Sequence, residues 1–513
     1  MKNNWTRRIG AAVLAVGMAI SLTACGETSF WKVEKAVHLT EKVTQNLTPG
    51  MDAPTLDRES ANKLTDFGLQ LAWRCMGTTE NALISPMSVA TVLAMAANGA
   101  EGETLEEMET VLGMDRSTLN TVLHAYWVNL PKSKQAVLKA ANSIWCTDRD
   151  DFTVEQQFLQ DCVDYYGADV FQAPMDNQTC QEINRWINKK TNGMISDMLQ
   201  ELSPNTILSL INALAFEGEW AEPYEKNQVQ EGVFLTAEGM PVRTEFLYSQ
   251  ESQYFENDVA IGVMKPYEGG RYAFVGLLPK DGLTLMALLD TLDGESLQNL
   301  LRAPQAETVE TSIPKFDTTY CVKMRNILTD MGMPLAFESQ RAEFAGIGTS
   351  SGDNIFIDQV IHQTFLSLGE KGTRAAAATV AEMAEGCAME PEEPKEVFLD
   401  QPFLYLLMDT DTCVPFLIGV MKDPTGSAPE GLAGGRPLSV QVDGVLYEST
   451  GEHGFTGPRC GTMSGEITSS VEPGTTPQKD DQSNFGTGWG YQKAGETIEV
   501  NFGRHWIVFE RAA

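Results

Sequence analysis

Histidine is scarce in this 513-residue chain, and the common metal and hydrolase motifs are missing. Only five histidines occur, at positions 38, 124, 362, 453 and 505, and no H-E-x-x-H, G-x-S-x-G or Walker A sequence is present. The nine cysteines include no C-x-x-C pair, which argues against zinc and against a disulfide-dense scaffold. We therefore expect no metal and no cofactor, and we expect most cysteines to be small buried side chains.

Basic residues are also few. Against 70 Asp and Glu stand only 37 Lys and Arg, which gives a formal net charge of -33. This sign of charge argues against nucleic acid and against an anionic membrane surface as electrostatic partners. A long apolar run is missing as well, because the N-terminal run at 9–22 is too short to span a bilayer comfortably.

That N-terminal run has the features of a secretory signal. Lys2, Arg7 and Arg8 precede it, and small residues follow it up to Cys25. The sequence LTAC at 22–25 resembles a bacterial lipobox, which implies cleavage before Cys25 and a lipid on its sulfur. We expect residues 1–24 to be removed and the protein to be exported. It would be lipid-anchored on the outer face of the bacterial cell membrane, or extracellular, with the lipid as its only membrane contact.

Composition divides the rest of the chain into four segments. Residues 25–57 are polar and predict a tether. Residues 58–424 carry helical patterns followed by strand signals, which is typical of a single α+β body. Residues 425–435 are rich in Gly, Ser and Pro and predict a linker, and residues 436–513 predict a small all-β module.

Local signals within the body predict individual elements. Ser85-Pro86 should begin an apolar helix, and Thr104 with Glu107 should form a capping box for the next one. The continuous apolar run within 202–224 is typical of a strand buried on both faces.

The C-terminal module offers little sign of an active site, because His453, Asp480 and His505 are too scattered. Its aromatic residues allow two interpretations, a carbohydrate-binding platform or ordinary core packing, and burial tendencies favour the core. These residues are Phe485, Trp489, Tyr491 and Trp506.

Five segments, in order and at suitable spacing, resemble the serpin family across residues 58–424. They are NALISPMSVATVLAMAANGA (81–100), NALAFEGEW (212–220), IPKF (313–316), VIHQTFLSLGEKGTRAAAAT (360–379) and DQPFLYLL with PFLIGV within 400–420. The resemblance implies a serpin fold of the α+β class. Its parts would be a large, mostly antiparallel central sheet, two further sheets, eight or nine helices, and an exposed reactive-centre loop that can insert into the central sheet as an extra strand.

The stretch at 369–389, GEKGTRAAAATVAEMAEGCAM, contains that loop by resemblance. In isolation its alanines favour a surface helix. As an inserting strand it alternates, with Thr, Ala, Ala, Thr, Ala and Met at odd positions from 373 to 383, so that no charge is buried before Glu385. Arg374 departs from the acidic residue of many inhibitory members, but it points outward on this alternation and should be tolerated. Gln401 also replaces the basic residue that usually precedes Pro-Phe.

The resemblance assigns further roles. The hinge comprises Glu370, Gly372, Thr373, Ala375, Ala376, Ala377 and Ala378. Residues at the family's shutter and breach, which control opening of the sheet, are Ser85, Ser88, Asn212, His362 and Trp220. Each of these five side chains could also have a purely structural role, as a buried polar group whose hydrogen bonds are made or, for Trp220, as part of the core.

The cleaved bond is placed only within a range. Counting forward from Glu370 gives Gly386 or Cys387, whereas counting back from DQPF gives a position near Pro391. The candidates are Glu385, Gly386, Cys387, Ala388 and Met389, and Cys387–Ala388 is favoured. No Lys or Arg occurs at 375–394, which disfavours trypsin-like proteases and favours elastase- or subtilisin-like ones; Glu385 or Met389 would suit glutamyl- or chymotrypsin-like enzymes.

The function implied is that of a serine-protease inhibitor and not of an enzyme. Its partner would be a target serine protease held in a covalent acyl complex, and the inhibitor itself would be a monomer. The alternative is a non-inhibitory serpin-fold binding or adhesion protein at the cell surface, which would not need an alanine-rich hinge.

Overall fold

The computed structural model describes residues 35–47, 56–77, 80–130, 136–280, 282–351, 354–373, 393–426, 437–454 and 462–512. Several predicted features lie outside these residues. They are the signal at 1–24, the lipidation site Cys25, the hinge residues Ala375, Ala376, Ala377 and Ala378, and the candidate bond residues Glu385, Gly386, Cys387, Ala388 and Met389.

The helices of the described residues all lie in the body. They are α1 (Arg58–Cys75), α2 (Pro86–Ala97), α3 (Gly102–Leu112), α4 (Arg116–Val128), α5 (Gln156–Tyr166), α6 (Asn177–Lys190), α7 (Leu285–Thr291), α8 (Gly294–Leu301) and α9 (Arg325–Met331), with short 3-10 turns at Lys226–Gln228 and Leu335–Phe337. None of the helices in the described part of the chain is both long and apolar enough to cross a membrane.

Helix α2 begins where the sequence predicts. Ser85 is its N-cap and accepts a hydrogen bond from the backbone N–H of Ser88, while Pro86 occupies the first turn. All twelve residues of α2 are buried, because the helix packs between two sheets of the body. This position explains why its sequence is predominantly apolar on every side.

The capping box predicted for α3 is wrong. Glu101 is the N-cap, without a side-chain hydrogen bond. Thr104 and Glu107 instead accept hydrogen bonds from the backbone N–H groups of Glu343 and Leu335, respectively. Both side chains therefore fix a distant segment of the chain and do not cap their own helix.

The strands of residues 35–426 form four sheets. They are β1 (Val37–His38), β2 (Ala82–Ile84), β3 (Ala136–Thr147), β4 (Phe152–Val154), β5 (Asp169–Ala173), β6 (Leu208–Glu219), β7 (Val229–Leu235), β8 (Pro241–Glu251), β9 (Tyr254–Glu256), β10 (Ala260–Pro266), β11 (Tyr272–Pro279), β12 (Val309–Pro314), β13 (Phe316–Lys323), β14 (Gly348–Ser350), β15 (Ile357–Gly369), β16 (Gly372–Thr373), β17 (Lys395–Phe398), β18 (Phe403–Asp409) and β19 (Pro415–Met421).

The central sheet has the order β1-β5-β3-β6-β16-β15-β13. Its β3–β5 and β6–β15 ladders are parallel, and the other ladders among the described residues are antiparallel, so the predicted, mostly antiparallel central sheet is confirmed. Within the predicted tether, β1 pairs with β5. The buried strand predicted within 202–224 is β6, whose first nine residues are all buried.

Three more sheets complete the body. Their orders are β2-β19-β18-β11-β10-β9, β17-β12-β8-β7 and β14-β4. Every residue of β18 and of β19 is buried, and helices α1 and α2 pack on β19. The predicted α+β fold is thus confirmed.

The C-terminal residues form a separate all-β sheet, as predicted. Its strands are β20 (Ser439–Val442), β21 (Val445–His453), β22 (Gly465–Glu466), β23 (Ser469–Ser470), β24 (Gln482–Ser483), β25 (Gly490–Ala494), β26 (Thr497–Phe502) and β27 (His505–Arg511), in the order β22-β25-β26-β27-β21-β20-β24-β23. Phe485, Trp489, Tyr491 and Trp506 are all buried, so these aromatic rings serve as core and not as an exposed platform.

The C-terminal sheet packs directly on the body, and the described residues form one compact unit. Its apolar core includes Leu235 of β7 and Met240 of the turn that follows. The guanidinium of Arg243 on β8 also lies 4.3 Å from the ring centre of Trp489. These contacts place the C-terminal sheet against β7 and β8.

Five of the six cysteines among the described residues are buried as free thiols, as the sequence predicts. They are Cys75, Cys146, Cys162, Cys180 and Cys413, and the sixth, Cys321, is exposed.

Candidate functional site

The candidate site is the seam between β6 and β15 in the central sheet. Along most of its length the two strands pair directly, from Ile357 opposite Leu208 to Phe365 opposite Ala215. Beyond Phe365 the strands are separated by β16, which pairs with β15 on one side and with β6 on the other. The seam is therefore closed along one part and occupied by a two-residue strand at one end.

Gly372 makes this close approach feasible. Its φ of 137° lies in a region that favours glycine, and a Cβ at this position would lie 2.1 Å from the carbonyl oxygen of Gly218. The next residue, Thr373, is fully buried, and its hydroxyl lies 2.7 Å from the Tyr267 hydroxyl. Thr373 is the first inward position of the alternation predicted from the sequence.

Trp220 lies beneath the turn that leads into β16. Its indole N–H donates to the carbonyl oxygen of Gly369 at 2.9 Å, and its backbone N–H donates to the carbonyl oxygen of Lys371 at 2.9 Å. The indole is buried and stacks on Tyr267, with 4.4 Å between ring centres. Trp220 thus holds both the end of β15 and the start of β16.

An ion pair fixes the same turn from the outside. Lys315 Nζ lies 2.8 Å from Glu370 and 2.7 Å from Glu245. The hydrogen bond from Lys315 lowers the pKa of Glu370, so the carboxylate stays charged at neutral pH. Both groups are partly exposed, and the pair contributes about 1 kcal/mol or less.

A second ion pair is buried beside Trp220. Lys265 Nζ lies 2.6 Å from Glu251, and both side chains are almost inaccessible to water. The ammonium also lies 4.4 Å from the ring centre of Tyr224, whose backbone N–H donates to the carbonyl oxygen of Glu370. This pair supports the wall on which the turn into β16 rests.

A polar network crosses the closed part of the seam. His362 on β15 is the direct ladder partner of Asn212 on β6, and the two side chains are hydrogen-bonded. Asn212 is in turn the ladder partner of Asn142 on β3 and donates to its side-chain oxygen. The backbone N–H of Ser85, at the start of α2, donates to His362 Nε2 at 3.0 Å.

These partners fix the proton on His362. Because Nε2 accepts a hydrogen bond from a backbone N–H, the ring proton must lie on Nδ1, which donates to the Asn212 side-chain oxygen. Burial lowers the pKa of His362 from 6.5 to about 3, so the imidazole is neutral at physiological pH. The network thus joins β3, β6, β15 and α2 without burying a charge.

The structure therefore brings together most of the described residues that the resemblance selects. Ser85, Asn212 and His362 meet in one network, whereas Glu370, Gly372, Thr373 and Trp220 meet at the end of the seam occupied by β16. Ser88 is buried nearby in α2, but its hydroxyl has no hydrogen-bond partner among the described residues. Its backbone N–H, which Ser85 caps, is its link to the network.

Four further residues contribute to the site at the seam but were not predicted from the sequence. They are Asn142, Tyr267, Lys265 and Glu251. Only Asn142 could have been noticed in the sequence, because it is a lone amide within the predicted strand KAANSIWCT. The other three became visible only from the fold, because their partners lie on different strands. Within the part of the chain that the structure describes, no cluster of His, Cys, Asp and Glu is arranged to hold a metal ion.

Comparisons with known proteins agree with this geometry. The family described as "Serpin (serine protease inhibitor)" matches residues 62–424, which is more than half of the chain. The chain belongs to the serpin family. Members of this family generally inhibit proteases and are not enzymes.

Individual serpins show how far the similarity extends. An uncharacterized serpin-like protein of Thermococcus kodakarensis is 31% identical over 385 residues, covering 74% of this chain and 88% of that protein. The crystal structure of the thermophilic serpin tengpin in the native state is 36% identical, with a TM-score of 0.72, and covers 76% of this chain and 100% of that one. Tengpin in the latent state is 35% identical, with a TM-score of 0.63, and covers 72% and 99%.

Proposed function

We propose that this serpin is a serine-protease inhibitor that acts as a suicide substrate, through cleavage of its reactive loop and insertion of that loop into the central sheet. The observation that carries the proposal is the position of β16. Gly372 and Thr373 pair with both β6 and β15, which is the starting point that strand insertion would need. An inserting chain would extend this ladder in the direction of the His362–Asn212 pair.

The proposed reaction uses the serine and the general base of the protease. The serine hydroxyl attacks the carbonyl carbon of the bait peptide bond, forms an ester, and transfers its proton to the leaving amine through the base. Residues up to the cut then enter the seam with the protease attached, before water can hydrolyse the ester. Distortion of the attached protease would stop deacylation, and the ester would persist.

The energy for insertion would come from new ladder hydrogen bonds and from burial of the small inward side chains. The alternation from Thr373 to Met383 puts only Thr, Ala and Met on the inward face. A charged side chain there would cost several kcal/mol and would slow insertion relative to deacylation. The native protein would thus be kinetically trapped until the loop is cut.

We place the bait among Glu385, Gly386, Cys387, Ala388 and Met389, and we favour an elastase- or subtilisin-like target. Small residues at 386–388 suit shallow specificity pockets, and the absence of Lys and Arg at 375–394 disfavours trypsin-like ones. Incubation with pancreatic elastase and with subtilisin, followed by denaturing electrophoresis and mass spectrometry, tests this directly. We expect a complex that survives denaturation and a released C-terminal fragment whose first residue identifies the cut. Complete cleavage without a complex would favour the non-inhibitory binding protein.

We further propose that the protein is a monomer exported and anchored through a lipid on Cys25, or extracellular once free of it. The lipobox-like LTAC sequence and the net charge of -33 support this arrangement, since the charge disfavours direct binding to an anionic membrane. Expression of wild type and Cys25→Ala in a bacterial host, followed by membrane fractionation, tests the anchor. Wild type should sediment with membranes and the variant should not; equal distribution would contradict lipidation.

A further inference from the structure

The C-terminal sheet reaches the body at β17, the strand that follows the proposed bait. The contact is made by the turn between β26 and β27, where Phe502 pairs with His505 and only Gly503 and Arg504 lie between them. Gly503 has a φ of 72°, as the first central residue of a tight hairpin turn of this kind requires. The turn packs on Val233 of β7 and directs Arg504 toward β17.

Arg504 makes two contacts with β17. Its Nη2 lies 2.7 Å from Glu396 Oε2, and its guanidinium carbon lies 3.5 Å from the centre of the Phe398 ring. The neighbouring residue His505 is buried, with Nε2 3.1 Å from Asp400 Oδ1, two residues beyond β17. Asp400 is also held to the body, because its carbonyl oxygen accepts a hydrogen bond from the Leu235 backbone N–H.

Within its own sheet β17 is held on one side only. It is the edge strand of the order β17-β12-β8-β7, and its four residues pair in parallel with residues 309–312 of β12. The N–H groups of Lys395 and Leu399 donate to the carbonyl oxygens of Thr308 and Ser312. Lys395 also lies over the Tyr254 ring at 5.5 Å. An edge strand of four residues has few bonds to break before it leaves the sheet.

We propose that the C-terminal sheet is a clamp that keeps β17 in place, and thereby keeps the uncut chain from inserting its loop spontaneously. This inference rests on the proposed function for its consequence, but not for the contacts themselves. From the sequence, an adhesive or spacer role is the favoured prediction for residues 436–513, and the clamp would give them a different role.

Chain length shows why β17 must move in an uncut chain. Insertion of residues 373–383 at about 3.3 Å per residue would carry the chain about 36 Å along the seam. Only the eleven residues 384–394 would then remain to return from that depth to Lys395, and at full extension they reach about the same distance. No length is left to pass around the end of the sheet, so complete insertion of an uncut loop needs the extra chain that β17 would supply. A cut loop has no such need.

Hydrogen exchange on the full-length protein tests the clamp independently of inhibition. Arg504→Ala removes the ion pair with Glu396, the contact with Phe398 and a longer approach to Asp400 at 3.9 Å, whereas Glu396→Ala removes that ion pair alone. We expect the backbone amides at 395–399 to exchange about five-fold faster in Arg504→Ala and about two-fold faster in Glu396→Ala than in wild type. Lys493→Ala is the matched control, because it removes an ion pair with Asp443 within the same sheet but away from the body.

A second measurement tests the consequence of the clamp, which is that the uncut loop does not insert spontaneously. After incubation at a temperature below unfolding, the uncut Arg504→Ala protein should lose inhibitory capacity about five-fold faster than wild type and than Lys493→Ala. Unchanged exchange at 395–399 in Arg504→Ala, with normal inhibition by wild type, would overturn the clamp alone. Absence of inhibition by wild type would instead overturn the proposed function, while faster exchange in Arg504→Ala would still support the clamp.

Discussion

The hydroxyl of Tyr267 lies 2.7 Å from the hydroxyl of Thr373, and both side chains are completely buried. Tyr267 in turn stacks on Trp220, whose indole holds the carbonyl of Gly369. The orientation of Thr373, and with it the inward face of the chain that follows, is therefore set by two aromatic residues of the body. This relationship makes position 373 the most direct point at which to test insertion.

Thr373→Arg should convert the inhibitor into a substrate. A guanidinium cannot be accommodated beside Tyr267, and burying it without a partner would cost several kcal/mol, so insertion should be slower than deacylation by at least about ten-fold. The measurement is the number of inhibitor molecules consumed per protease molecule inactivated. Lys371→Arg, at an exposed position two residues earlier, is the control and should behave as wild type. Unchanged stoichiometry in Thr373→Arg would contradict the alternation.

Gly372→Ala should displace β16 from the seam. A Cβ would lie 2.1 Å from the carbonyl oxygen of Gly218, so the backbone must shift in addition to carrying the strain of a φ of 137°. We expect a loss of about 2–3 kcal/mol in stability, measured by guanidinium denaturation. Gly270→Ala has a positive φ of 69° but open space around it, and should cost only about 1 kcal/mol. Equal losses for the two variants would show that the contact with Gly218 is unimportant.

Acid should destabilise the native protein through His362. The unfolded chain binds a proton at the ordinary pKa of 6.5, whereas the folded chain does so only near 3, so stability falls as pH drops from 6.5 toward 3. At about pH 5 the loss amounts to ~2 kcal/mol relative to neutral pH. Melting temperatures of wild type and His362→Gln at both pH values check this. The variant should show a smaller decrease, and an equal decrease would assign the effect to other groups.

Cleavage of the loop should raise thermal stability. Each inserted residue adds ladder hydrogen bonds worth about 1 kcal/mol net, so insertion of residues 374–383 should raise the melting temperature by at least about 10 °C. Limited proteolysis by a protease that cuts without forming a complex, followed by calorimetry, gives the comparison. The Thr373→Arg protein, cut in the same way, should show a much smaller rise. No rise in wild type would favour the non-inhibitory alternative.

The sequence was most informative where a single element carries its own signal. The apolar run of β6 and the Ser85-Pro86 start of α2 predicted these elements because burial on all sides leaves few polar residues to interrupt the pattern. The paired residues Asn212 and His362 were selected by resemblance, and their adjacency in the β6–β15 ladder gives that choice a physical basis.

The sequence was least informative where distant segments decide the structure. Thr104 and Glu107 have the spacing of a capping box, but the backbone near 335–343 offers them better partners. The two residues of β16 cannot signal a strand by periodicity, because their conformation comes from the strands on either side. The contact of Arg504 with Glu396 likewise joins residues more than a hundred positions apart.

The position of β18 and β19 bears on what remains after the loop is cut. A break at 385–389 would divide the polypeptide in two, and the C-terminal piece would carry β17, β18, β19 and the whole C-terminal sheet. Because β18 pairs with β11 and β19 pairs with β2, that piece is interleaved with the N-terminal piece in a buried sheet. The two pieces would therefore stay together without a covalent link. If the proposed inhibition and the proposed lipid anchor on Cys25 both hold, the cleaved inhibitor would remain on the cell surface together with its C-terminal sheet, and both pieces would have to be removed together.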